Sequence, residues 1–85
     1  MMTEAEFASL ALAMPGAVSG GHMGHPDFRV GKKIFATLGY PRAGFGMVKL
    51  APVQQAMLVA AEPGIFAPAA GAWGRRGATV VDLAP

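Results

Sequence analysis

Five cations, Arg29, Lys32, Lys33, Arg42 and Lys49, fall in one segment of this chain, and no acidic residue follows Asp27 until Glu62. With a formal net charge of only +2, the chain has a basic segment and is not basic throughout. Ammonium and guanidinium groups grouped in this way neutralise phosphates, so the chemistry on offer is polyanion binding. Arg75 and Arg76 add a second basic pair beside Trp73. The bland alternative is that such cations are solvated edge residues that discourage strand-to-strand pairing. Phe28, Phe35, Tyr40 and Phe45 interleave with the cations and offer faces for base stacking. Phenylalanines in alternating strands belong more often to a core, which leaves Tyr40, next to Pro41, as the exposed candidate.

Two other constellations bear on function. His22, His25 and Asp27 (HMGHPD) are metal-ligand types, but a site needs three or four converging ligands and a supporting shell, so the expectation is no metal and no cofactor. Trp73-Gly74-Arg75-Arg76-Gly77 places an indole where it can stack on a guanidinium or a ligand ring. The expectation is instead that Trp73 anchors a tight turn against a sheet, its glycines supplying positive φ or close approach. Bond-making chemistry is poorly provided for. There are two serines, Ser9 and Ser19, no cysteine and five unpaired acids, and no phosphate-cradling glycine motif opens a helix after a strand. The expected protein is not an enzyme.

These residues must be held by a small scaffold. Eighty-five residues make one domain, 1–85, which buries a little over ~60% of its unfolded surface. A composition of 53% hydrophobic and 14% charged residues argues for a packed fold and against disorder. Glu4 and Glu6 stand where a leader would carry cations, so the expected location is cytoplasmic. Positions 7–26 are free of formal charge, but Pro15, Gly16, Gly20, Gly21, Gly24 and two histidines interrupt them too often for a membrane span.

Thr3 and Glu6 form a capping-box pattern, and Phe7, Leu10, Ala11 and Met14 mark one stripe of a helix that Pro15 and Gly16 stop. A second helix is predicted from Pro52 to Ala61, with Val53, Met57 and Ala60 facing the core. Met14, Met47 and Met57 read as packing residues. Between the helices, Phe28–Val30 and Lys33–Leu38 flank a Gly31-Lys32 turn, and a strand at Phe45–Leu50 follows a Tyr40–Gly44 loop. A two-residue turn pairs Val30 with Lys33 and Phe28 with Phe35, whereas a three-residue loop pairs Val30 with Ile34; both registers remain open. Ala67–Ala72 reads as a biased loop, Gly71–Gly77 as a turn, and Thr79, Val81 and Leu83 as a last strand.

The segments TEAEFASLALAMPGAV, HPDFRVGKKIFATLG, VKL, QQAMLVAAEPGIF and AWGRRGATVVDL, in this order over essentially the whole chain, resemble the MmcQ/YjbR family. The resemblance implies an α+β, CyaY-like fold: an antiparallel sheet packed on one face by helices, in the order α-β-β-β-β-α-β. It also implies a double-wing DNA-binding role for the basic hairpin, with double-stranded DNA as partner and Arg29, Lys32, Lys33, Arg42, Lys49, Arg75 and Arg76 as its phosphate contacts. Iron binding, suggested by the likeness to frataxin-like proteins, rests there on an acidic surface, and the first helix here carries only Glu4 and Glu6. The resemblance also implies a C-terminal helix beside the first helix, and the expectation is that this chain, ending at Pro85, is without it. The expectation is a truncated domain whose partly uncovered sheet face favours self-association. The alternative function is a small-molecule- or protein-binding module using the sheet face and the Trp73 loop.

Overall fold

A computed structural model describes residues 2–22, 25–39 and 42–85 of the chain. Helix α1 (Glu4–Leu12) begins as its capping box requires: the Thr3 hydroxyl accepts from the Glu6 N–H at 3.1 Å, and the Glu6 carboxylate accepts from the Thr3 N–H at 2.8 Å. Phe7 and Ala11 are buried, one row of positions four apart. Leu10 and Met14, expected on the same stripe, are exposed, because α1 meets the sheet along that single row.

The chain then continues as β1 (Val18–His22), β2 (His25–Val30), β3 (Lys33–Leu38), β4 (Phe45–Lys49), α2 (Pro52–Ala61), β5 (Phe66–Pro68), α3 (Gly71–Arg75) and β6 (Ala78–Asp82). The six strands form one antiparallel sheet in the order β1-β2-β3-β4-β6-β5. The fold class is α+β, as expected. The order α-β-β-β-β-α-β holds through α2 but omits β5 and α3. The stretch read as loop begins within β5, whose three residues form a strand only by pairing with β6, Phe66 opposite Val81. The stretch read as a turn is mostly the short helix α3.

At the β2–β3 hairpin the two-residue turn is the one formed, with Val30 opposite Lys33. Gly31 and Lys32 both have positive φ, 58° and 71°, which suits the twist of the flanking strands. Phe28 nevertheless faces Ala36 and not Phe35, because the register shifts between Phe28 and Arg29 and leaves Phe35 as the extra residue of a bulge on β3.

The alternation of strand residues sorts the sheet into two faces. Phe28, Ala36, Leu38 and Leu83 lie under α1 with Phe7 and Ala11, and Val48 and Val81 pack against this core. Phe7 and Phe28 meet with ring centres 6.3 Å apart. Gly46 lies directly beneath Phe7: a Cβ there would stand 2.8 Å from the Phe7 ring. Helix α2 packs on the same side, but not through the residues the sequence suggested. Val53 and Met57 are both 67% exposed and Ala60 is exposed too. The buried residue is Gln55, with Leu58 and Val59 half-buried. The helix is apolar on several faces, so periodicity alone does not choose among them. What selects Gln55 is its carboxamide, which donates to the carbonyls of Gly74 at 2.9 Å and Ala78 at 3.0 Å and contacts the Thr79 hydroxyl at 3.2 Å. Among the described residues the opposite face of the sheet carries no helix of comparable length.

Two outcomes follow for stability. Gln55→Ala strips α3 and β6 of these buried partners and is expected to cost about 2–4 kcal/mol in urea denaturation, against near-neutral behaviour for the exposed Val53→Ala. Lys32→Gly relieves about 1 kcal/mol of left-handed strain against about 0.5 kcal/mol of unfolded-state entropy, so a gain of about 0.5 kcal/mol is expected. An unchanged or lower denaturation midpoint would contradict the turn geometry.

Candidate anion-binding site

The antiparallel registers set most of the charges at opposite ends of the sheet. The β2–β3 turn, the end of β4 and the start of β6 share one end, since Leu50 N–H donates to the Gly77 carbonyl at 2.9 Å. Gly77 makes this junction possible: its φ is +107°, and any Cβ there would run into the Leu50 carbonyl. Lys32, Lys33, Lys49, Arg75 and Arg76 therefore occupy this end, all exposed. Glu4, Glu6, Glu62 and Asp82 occupy the other. Glu4 accepts from the Gly44 N–H at 3.3 Å, and the Asp82 N–H donates to the Ile65 carbonyl beside Glu62. The remaining acid, Asp27, lies between the poles.

Two expected phosphate contacts are placed differently from the rest. Arg29 forks around Asp27, its Nε donating to Oδ1 at 2.9 Å and its second nitrogen to Oδ2 at 3.1 Å. Asp27 is fully buried while the Arg29 side chain is 35% exposed, so the guanidinium neutralises an internal carboxylate. Hydrogen bonding to Asp27, then its charge, raises the Arg29 pKa, and the guanidinium is cationic at any working pH. Arg42 lies at the acidic end with its guanidinium carbon 4.6 Å from the centre of the Phe45 ring. The structure thus brings together five of the seven sequence-selected cations. At the acidic pole the Thr3 N–H, then the Thr3 hydroxyl, holds the Glu6 carboxyl below its usual range. A lowered value means this contribution is present at neutral pH and is lost as pH falls through the carboxylate range.

Beside the basic pole, on the face without α1 and α2, lies a groove of about 700 Å³. Lys32, Lys33 and Lys49 line it, Ile34 and Met47 contribute apolar surface, and Trp73 stands at its edge, 55% exposed. Trp73, read in the sequence as a turn anchor, sits in the short helix α3 with somewhat more than half of its surface exposed. Phe28 is core, as expected of an alternating strand, whereas Phe35, the bulge residue, both packs against the core and lines the groove. Tyr40 lies outside the described residues, as do Met23 and Gly24 of the histidine segment. His22 and His25 are cross-strand partners, and the Asp27 carboxylate close by is held by Arg29. Among the described residues no three His, Cys, Asp or Glu side chains group as metal ligands. No helix among them is long and apolar enough to cross a membrane. Sequence reasoning found the lysines but not Met47, Thr37 and Ala78 as their neighbours, because only strand pairing places these residues on one face.

A single antiparallel sheet with its long helices on one face and a basic pole at one end defines the class of protein. The family model YjbR matches residues 12–84, and the chain belongs to that family. Among solved structures it is similar to the Deinococcus radiodurans protein DR2400, family-model domain DUF419, with a TM-score of 0.77 and 19% identity. That likeness covers 99% of this chain and 65% of DR2400, so the chain spans less than two thirds of its neighbour's length, and it shows the fold alone. No curated protein matches the chain in sequence.

Removing Arg29 and removing the hairpin lysines are expected to do different things. Arg29→Ala leaves Asp27 buried without its fork and lowers the urea midpoint, whereas Lys32→Ala with Lys33→Ala leaves it nearly unchanged. Equal midpoints for the two variants would contradict the division of labour drawn here.

Proposed function

We propose that this chain is a non-enzymatic, cytoplasmic DNA-binding protein that contacts the phosphates of a duplex with its basic pole. The observation that carries this reading is the gathering of Lys32, Lys33, Lys49, Arg75 and Arg76 at one end of the sheet, with four of the five acids at the other. Such a dipole steers a polyanion toward one end and turns the acidic end away. The β2–β3 hairpin presents Lys32 and Lys33 on a tight turn, a shape suited to lying against a phosphate backbone. The lysines and arginines position the protein without reading bases, so the binding is weak in sequence preference. Arg29 and Arg42 are left out of the contact set, the first held by Asp27 and the second at the acidic end.

Counterion release makes the proposal quantitative. Five neutralised phosphates correspond to a slope of log affinity against log salt of roughly −4.5, and removing Lys32 and Lys33 brings it to roughly −2.7. Fluorescence anisotropy with a short labelled duplex over a salt series measures both. A slope near zero, or one indifferent to the two lysines, would sink the reading.

A further inference from the structure

The groove on the open sheet face combines three features that phosphate binding at the pole does not require. Its lining is largely apolar, with Ile34, Met47 and Ala78 among the contributors. Trp73, the only tryptophan of the chain, stands at its edge with more than half its surface exposed. Lys32, Lys33 and Lys49 all line it, while the one acid among the lining residues, Asp27, is buried and forked by Arg29.

We infer that this groove binds a small phosphorylated compound with a planar ring, of the mononucleotide class. Its volume of about 700 Å³ falls in the range of small-molecule sites, and that range is roughly 300–1,000 Å³. A lone phosphate would use the lysines and leave the apolar lining wet. A lone apolar ring would leave three ammonium groups crowded at the rim. A ring bearing a phosphate satisfies both: the ring stacks on the Trp73 indole and covers Ile34 and Met47, and the phosphate reaches the lysines. Farther along the groove, half-buried Thr37 and exposed His25 present polar groups for the edge of the ring. The site shares its lysines with the proposed duplex contact but stands on the groove and Trp73, so either reading survives the failure of the other.

Trp73 makes the test direct, because all tryptophan fluorescence comes from the site. The probes are adenosine monophosphate, adenosine and inorganic phosphate, each titrated at low salt and followed by tryptophan quenching and by the amide NMR shifts of Thr37, Met47 and Lys49. The nucleotide is expected to quench saturably and to shift these amides, with adenosine and phosphate each at least about tenfold weaker, since each lacks one half of the contacts. Met47→Gln, which puts a polar amide into the apolar lining without changing charge, is expected to weaken nucleotide binding at least about tenfold while leaving duplex affinity intact. Lys33→Glu with Lys49→Glu, both at exposed positions, provides the second variant should Met47→Gln disturb the fold, and it is expected to abolish nucleotide binding. Phosphate matching the nucleotide would reduce the site to an anion patch, and adenosine matching it would remove the lysines from recognition; either result overturns the inference. Absence of saturable quenching and of amide shifts by the nucleotide overturns it as well, whatever the duplex does.

Discussion

The ring of Phe7 lying over the bare backbone of Gly46 ties α1 to the middle of the sheet. Any side chain at Gly46 would hold the ring away, and Ala11, Phe28, Leu38 and Leu83 would lose the cover that makes them a core. A chain of this size has little apolar material to spare, so the closeness of one contact sets how much of the rest is dry. With the long helices gathered on that side, the other side of the sheet is left to meet solvent. Antiparallel sheets tolerate this arrangement because successive side chains alternate between faces.

A second constraint runs from α2 to the basic pole. Gln55 is a polar residue in the place of a core residue, and its amide joins α2 to the Gly74 carbonyl of α3 and the Ala78 carbonyl of β6. This link holds α3 at the end of the sheet where Gly77 allows β6 to begin beside Leu50. Trp73 thereby lines one groove with Lys49 and the hairpin lysines, and Arg75 and Arg76 stand at the same end of the sheet. The distribution of charge is thus a consequence of packing: the same buried amide that completes the fold positions the groups that can meet an anion.

The pair of Asp27 and Arg29 shows how a structural role can imitate a binding one. In sequence, Arg29 is the first member of a basic cluster. In the fold, the two residues lie two apart on one strand, hence on the same face, and the carboxylate is sealed inside while the guanidinium closes over it. Membership of the YjbR family, through residues 12–84, accounts for the architecture without deciding which cations act on a ligand.

Local signals settled the elements whose information is local. The capping box of Thr3 and Glu6, the Pro52 start of α2 and the presence of a turn at Gly31 and Lys32 were legible, because each depends on residues within a turn of one another, whereas the choice between a two-residue turn and a three-residue loop was made by strand pairing. The resemblance of ordered segments brought the fold class with it. Strand β5 escaped notice because three residues carry no period, and the bulge at Phe35 because register is decided between strands. The inward face of α2 is not legible in the sequence because its apolar residues lie on several sides, and only the carbonyls of Gly74 and Ala78 favour Gln55. Which cations the chain carries, and that Arg29, Lys32 and Lys33 sit on a hairpin, follow from the order of residues alone. Tertiary structure alone decided that Arg29 is committed to Asp27, that Arg42 stands apart, and that Trp73 joins three lysines around one groove, because each depends on contacts between residues distant in the chain or on which side of the sheet is left uncovered.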